Sequence, residues 1–281
     1  MSGLFTPAPF VKAGRRTLLE MITLNGLSTD LALCLDAGDA NSYDGTSQTW
    51  FDVSENDQDF FRGTASSAQA SDPTFNGVAN GKSENEYFSL DGGDHFQEAS
   101  AAVMNFAETW HKDNAAFTFG FIMYASDADN QASVATTIFA NALTAGGAIT
   151  GSEFYVSSGA EALRLAIYKI GTDPLVTTLK TAFLPASRSW LCAIASVDEA
   201  NGNILVKTTS AAADLLTGQS YVAPDTAASS DAYTLMNVTN GGIPWASGVR
   251  LAGAFAWNRV LTTGELDVMF SAIKMRFPTL S

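Results

Sequence analysis

The chain has 281 residues, 46% of them apolar and 16% charged, with 29 acidic against 15 basic side chains for a net charge of −14. No basic cluster exceeds Arg15-Arg16, so the electrostatic footprint of a nucleic-acid binder is missing and neither DNA nor RNA is an expected partner. This length can bury a core without metal or disulfide staples. Its 23 glycines, set among many Ser, Thr, Asn and Gln, read as a protein of many strands and turns.

Residues 1–28 read as an N-terminal arm, in which Pro7 and Pro9 interrupt regular structure. Leu4, Phe5, Phe10 and Val11, with Arg15 and Arg16, are candidates for anchoring to a neighbouring subunit; a disordered tail is the alternative. These residues lack the apolar core and cleavage site of a signal peptide, so none is expected. No run approaches the ~18 apolar residues of a spanning helix, so membrane insertion is not expected either. Thr17–Leu24 fits a short helix or a first strand equally well.

From residue 31 a period-2 pattern sets in. Leu31, Leu33 and Leu35 alternate with Ala32, Cys34 and Asp36, as in a sheet covered on one face. The 37–49 segment is loop. Tyr87–Leu90, Asp91-Gly-Gly-Asp94 and His95-Phe96 read as a hairpin-like signal. Val103, Phe106, Ala107 and Trp110 share a helical face, which predicts a short helix or helical turn within 99–112. Phe117–Tyr124 is the clearest strand, with Phe117, Phe119, Phe121 and Met123 directed into a core between two sheets.

Further strands are expected at 135–140, 153–156, 163–168, 190–197, 204–208, 233–236 and 249–257, making about twelve in all. Asp198–Asn203 reads as a turn between two of them, and Ala211–Leu216 as one or two turns of helix. No helical segment is long enough to connect parallel strands, so the strands must be antiparallel. Thr262-x-x-Glu265 is a capping box, and Leu266, Met269, Phe270 and Ile273 recur at helical spacing, predicting a helix over 263–276 laid outside the sheets. The simplest partition is the arm, 1–28, followed by one all-β domain, 29–281.

Leu31–Asp36, Asn41-Ser-Tyr43 and Trp50-Phe-Asp-Val-Ser54 resemble the opening of concanavalin A-like (laminin-G/pentraxin-like) domains. Phe88–Phe96, Ser189–Asp198 with Ile204–Lys207, and Gly253–Leu266 are similar to their aspartate–glycine turn, Trp-led strand pair and closing strand with helix. The resemblance implies a jelly-roll β-sandwich that binds glycans, proteins or calcium, with glycoside hydrolases in a related branch. Single-domain forms with an arm look like tailed-phage structural proteins. On that reading the chain is a non-enzymatic virion component, a head decoration, spike or fibre-associated protein made in the cytoplasm. Its expected partners are other virion or capsid proteins, further copies of itself in a trimer or pentamer, and a cell-surface glycan; a free lectin-like module is the alternative.

For glycoside hydrolysis two carboxylates would have to flank the bond at about 5–5.5 Å. The Glu-x-Asp-x-x-Glu and Glu-x-Asp-x-Glu patterns of the related hydrolases are absent from the sequence, so no catalytic residue is assigned. Tyr43, Trp50, Tyr221 and Trp245, standing near Asn, Asp and Gly, are the candidate carbohydrate-binding aromatics; packing in the core or at a subunit contact would look the same. No cofactor is expected apart from calcium, for which Asp91 and Asp94 are the first choice. Asp36/Asp39/Asn41/Asp44 and Asp127/Asp129/Asn130 are weaker sets without the spacing of a continuous calcium loop. Cys34 and Cys192 read as buried thiols, with a disulfide left open.

Overall fold

A computed structural model describes residues 15–99, 106–130, 135–141, 143–145, 148–169, 172–221, 232–237 and 245–280. In chain order the elements are α1 (Leu18–Leu24), β1 (Leu31–Asp36), β2 (Thr49–Trp50), β3 (Phe60–Arg62), β4 (Thr74–Asn76), β5 (Tyr87–Ser89), β6 (Phe96–Glu98), β7 (Ala116–Ala125), β8 (Thr136–Ala140) and β9 (Leu143–Ala145). There follow β10 (Ala148–Val156), β11 (Leu163–Lys169), β12 (Thr172–Lys180), β13 (Ser189–Asp198), β14 (Asn203–Lys207), β15 (Asp214–Thr217), β16 (Thr234–Leu235), β17 (Arg250–Trp257) and α2 (Thr263–Arg276).

The strands form two antiparallel sheets. One runs β15-β14-β13-β7-β17-β5-β4, with β1 also paired to β17; the other runs β12-β11-β10-β8-β16-β6-β3-β2, with β9 on β10. The protein is the all-β sandwich expected, built from seventeen described strands where about twelve were anticipated. Between the sheets lies the larger core. Phe117, Phe119, Phe121 and Met123 of β7 enter it from one side, and Phe139, Phe154, Leu163, Leu165 and Ile167 from the other.

The outer face of the eight-stranded sheet is covered by the two helices. Leu18, Met21 and Ile22 of α1, and Leu266, Met269, Phe270 and Ile273 of α2, pack with Cys34, Ile122, Trp190, Cys192, Phe255 and Trp257 in a second apolar layer. Both helices begin with the same device. The Thr17 hydroxyl accepts from the Glu20 N–H while Glu20 accepts from the Thr17 N–H, and Thr262 and Glu265 do likewise. The chain feeds into α2 through a buried knot in which the Leu261 N–H donates to Ser196 Oγ at 2.7 Å and Thr118 Oγ1 donates to Ser196 Oγ at 2.9 Å.

Several expectations need correction. Residues 17–28 are not an arm but part of the body, because Leu18, Met21, Ile22 and Leu27 are buried in the helix-covered layer. Arg15 and Arg16 are exposed; Leu4, Phe5, Phe10 and Val11 lie outside the described residues. Of the two alternatives for 99–112, the described 106–112 segment forms turns and not a helix, and Phe106, Ala107 and Trp110 pack together in the main core. Val103 is outside the described residues. Asp91–Asp94 does not close a hairpin: β5 pairs with β4 and β17, whereas β6 pairs with β3 and β16 in the opposite sheet. Asp214–Thr217 is an edge strand paired with β14, where a helical turn was expected. Both cysteines are buried free thiols.

Candidate functional site

All four aromatics anticipated as sugar platforms are core residues. Tyr43 and Trp50 are fully buried, and Trp245 and Tyr221 nearly so. Tyr43 packs against Phe75 and Phe88, Trp50 against Phe88 and Phe96. Their polar atoms are used inward as well. Tyr43 Oη donates to the Ser47 carbonyl, Tyr221 Oη to the Trp110 carbonyl at 2.6 Å, and Trp245 Nε1 to the Thr137 carbonyl at 2.8 Å. An aromatic ring with no free face cannot stack on a saccharide.

The carboxylates proposed for calcium are equally committed. Asp36 is fully buried and paired with Arg276, Asp44 caps the turn at Thr46 and Ser47, and Asp129 is held by Arg188. Asp94 is buried, and its Oδ2 accepts the Asp91 N–H at 3.0 Å while its Oδ1 has no partner. Burial, and then the Asp91 carboxylate beside it, push Asp94 up to about 7. Among the described residues no three His, Cys, Asp or Glu side chains converge to hold a metal ion. Asp91 and Asp94 supply at most four carboxylate oxygens, so calcium there would need carbonyl or water ligands to reach six to eight.

This elevation makes stability depend on pH. The folded state holds Asp94 protonated above the pKa of the unfolded chain, so its contribution is complete at low pH and is lost as pH rises through about 7. The expected slope reaches at most about 1.4 kcal/mol per pH unit. Denaturant titrations of wild type and Asp94→Asn at pH 5 to 8 check it: the variant should lose this component of the slope.

A half-open pocket of about 220 Å³ lies at one end of the sandwich, lined by Lys180, Ala182, Phe183, Pro185, Leu191, Thr208 and Thr209. Lys180 ends β12, Leu191 projects from β13, and the threonines follow β14, so both sheets contribute. Phe183 and Leu191 are buried core residues that form its floor. Lys180 Nζ pairs with Asp214 Oδ2 at 2.8 Å, and Thr209 Oγ1 accepts the Ala211 N–H at 3.2 Å. Ala182 stands at φ +46°, a left-handed conformation that a non-glycine residue adopts at a cost of roughly 1–3 kcal/mol and that clusters at functional sites. The Phe183 N–H, bonded to the Glu161 carbonyl at 2.8 Å, fixes this turn. The cavity is smaller than a drug-sized pocket of ~300–1,000 Å³ and matches one sugar ring or one side chain. Nothing in Lys180-Thr-Ala-Phe-Leu-Pro185 marks it in the sequence, because the site is assembled from three separated segments.

The rim beside the cavity is pinned by Arg188. Its Nε donates to Asp129 Oδ2 at 2.9 Å and its Nη2 to the Ser247 carbonyl at 2.7 Å, tying three loops together. Burial opposes ionisation of Asp129, but Arg188 and the Ser126 N–H and hydroxyl together outweigh it, and the carboxyl is held below its ordinary value.

No protein-family model and no curated protein matches this sequence. Among solved structures, the fold is similar to botulinum neurotoxin binding domains. The structure titled "Cell entry of botulinum neurotoxin type C is dependent upon interaction with two ganglioside molecules" superposes with a TM-score of 0.59 at 10% identity, over 89% of this chain and 53% of that one. The neurotoxin DC binding domain in complex with rat synaptotagmin II gives 0.58 at 10% identity over 88% and 52%. The serotype G binding domain gives 0.57 at 13% identity over 87% and 51%. The chain thus spans about half the length of these matches. At such identities the likeness establishes a shared β-sandwich fold.

Proposed function

We propose that this protein is a non-catalytic binding module that takes a neutral saccharide unit in the cavity between Lys180 and Thr209. The cavity carries the reading: an apolar floor of Phe183, Pro185 and Leu191 suits the C–H face of a sugar, while the Thr208 and Thr209 hydroxyls and the Lys180–Asp214 pair ring it with donors and acceptors. A net charge of −14 disfavours anionic ligands at long range and supports a neutral one here. Similarity of fold to neurotoxin binding domains, one in complex with synaptotagmin II and one from a toxin that interacts with gangliosides, is consistent with recognition of glycans or protein receptors. The sequence resemblance extends the proposal to a homo-oligomeric component of a phage-like particle, which mass analysis of purified particles tests.

Glycan-array screening followed by calorimetry tests the binding itself. Thr208→Val should weaken the best neutral ligand by roughly 3–10-fold, the worth of one hydrogen bond, with the melting temperature unchanged. Saturable binding that is indifferent to both Thr208→Val and Lys180→Met would remove the cavity from the account.

A further inference from the structure

On the outer face of the eight-stranded sheet a row of side chains crosses five strands in register. Trp190 of β13 stands beside Tyr124 of β7, Tyr124 beside Arg250 of β17, Arg250 beside Ser89 of β5, and Ser89 beside Thr74 of β4. Phe88, Met123 and Leu251 enter the core between the sheets, so the alternating Tyr87, Ser89, Tyr124 and Arg250 point the other way. The two helices lie over β1, β13 and β14, and Trp190, packed against Phe277 just past α2, borders that layer. Beyond this border Tyr87, Tyr124, Ser89 and Arg250 are partly exposed and Thr74 is exposed. At ~4.8 Å per strand step, the row from Tyr124 to Thr74 is roughly 14 Å long.

Arg250 stands apart from the other cations. Lys82, Lys180, Arg188, Lys207, Arg259 and Arg276 each pair with a carboxylate. The Arg250 guanidinium instead lies over two rings, with its carbon 4.4 Å from the Tyr87 centroid and 4.5 Å from that of Tyr124. Trp190 packs edge-on against both tyrosines and steadies them. Among the described residues nothing accepts a hydrogen bond from this guanidinium, and neither tyrosine hydroxyl is bonded. At the far end of the row Asn76 Nδ2 donates to the Thr74 carbonyl at 2.9 Å and to Ser89 Oγ at 3.0 Å. In a chain with 29 acidic residues, an arginine is thus held in place by rings alone, with its donors turned to no protein acceptor.

We propose that this row is a second saccharide subsite, selective for an N-acetylated hexosamine whose acetamido carbonyl accepts from the Arg250 guanidinium. An amide oxygen is a stronger acceptor than any sugar hydroxyl, and the planar guanidinium fork can address both of its lone pairs. The acetamido methyl finds apolar cover on the tyrosine rings, while the Tyr87, Tyr124 and Ser89 hydroxyls serve those of the sugar ring. A carboxylate would meet the same fork but is opposed by the net charge of −14, which an uncharged amide is not. The inference rests on the saccharide-binding reading of the module but uses none of the residues lining the pocket.

The experiment titrates the full chain, by calorimetry, with the methyl glycosides of N-acetylglucosamine, N-acetylgalactosamine, glucose and glucuronic acid. The expected result is that an N-acetylhexosaminide binds and is weakened roughly 10-fold or more by Arg250→Gln, the worth of a hydrogen bond to a charged donor. Thr208→Val should leave that binding unchanged, and Arg250→Gln should leave the glucoside unchanged. Should Arg250→Gln fail to fold, Arg250→Lys serves instead: it keeps a cation over the rings, removes the fork, and should still weaken the N-acetylhexosaminide several-fold. N-acetylhexosaminide binding indifferent to Arg250, an equal loss for the glucoside, or tighter binding of the glucuronide overturns the inference. Glucoside binding that depends on Thr208, without N-acetylhexosaminide binding that depends on Arg250, overturns it while leaving the proposed function intact. Binding of none of the four overturns both.

Discussion

Arg276→Met is expected to destabilise the protein by about 3–5 kcal/mol, the cost of stranding a buried charge. Arg276 and Asp36 are both fully inaccessible, with Nη1 2.7 Å from Asp36 Oδ1 and 2.8 Å from Oδ2. Asp36 also accepts the Leu18 N–H and the Gly38 N–H, each at 2.8 Å, and Arg276 Nε donates to the Ser83 carbonyl at 3.2 Å. One ion pair therefore joins the end of β1, the start of α1, the end of α2 and the 81–86 loop. Gly38 is obligatory beside it, since a Cβ there would fall 2.1 Å from Arg276 Nη2. Removing both charges together, as Asp36→Asn with Arg276→Met, should recover much of the loss, because the dominant cost is the unpaired ion. Urea denaturation of the two single variants and the double variant checks this; equal losses in all three would contradict it.

Trp110→Ala is the second large effect, at about 3–5 kcal/mol for a buried aromatic truncated to a methyl. The indole stacks on Phe117 with centroids 4.3 Å apart and planes 5° from parallel, and it also touches Phe106, Phe119, Phe139 and Phe154. It thus bridges the two sheets. Its Nε1 makes no hydrogen bond, so Trp110→Phe should cost clearly less than the alanine change. Thermal unfolding of both variants separates lost packing from lost polarity.

The elements that could be read from the sequence are those whose burial imposes a period. β7 and β13 are paired from Ala116 to Ala125 and from Ser189 to Asp198, with one face toward each apolar layer, and their runs of large apolar residues announce this. α2 spans Thr263–Arg276 as its capping box and spacing predict. The same Thr-x-x-Glu box at Thr17–Glu20 decides between helix and strand for α1. β12 and β15 were illegible for a different reason. They are edge strands, β12 contains Pro174, and their exposed Val176 and Leu215 break the alternation.

The sugar-binding aromatics failed because a large ring among Gly, Asn and Asp reads identically whether its loop folds inward or outward. Tyr43 and Trp50 turn in to fill the core beneath short strands that supply few side chains of their own. The cavity depends on which segments meet across the sandwich, and a one-dimensional pattern does not carry that.

The most direct test is an amide NMR titration of the intact protein with the neutral glycan selected by array screening. Saturable shifts centred on Ala182, Phe183, Thr208 and Thr209 are the predicted result. Shifts confined to other parts of the molecule, or no shift with any arrayed glycan, would contradict the account.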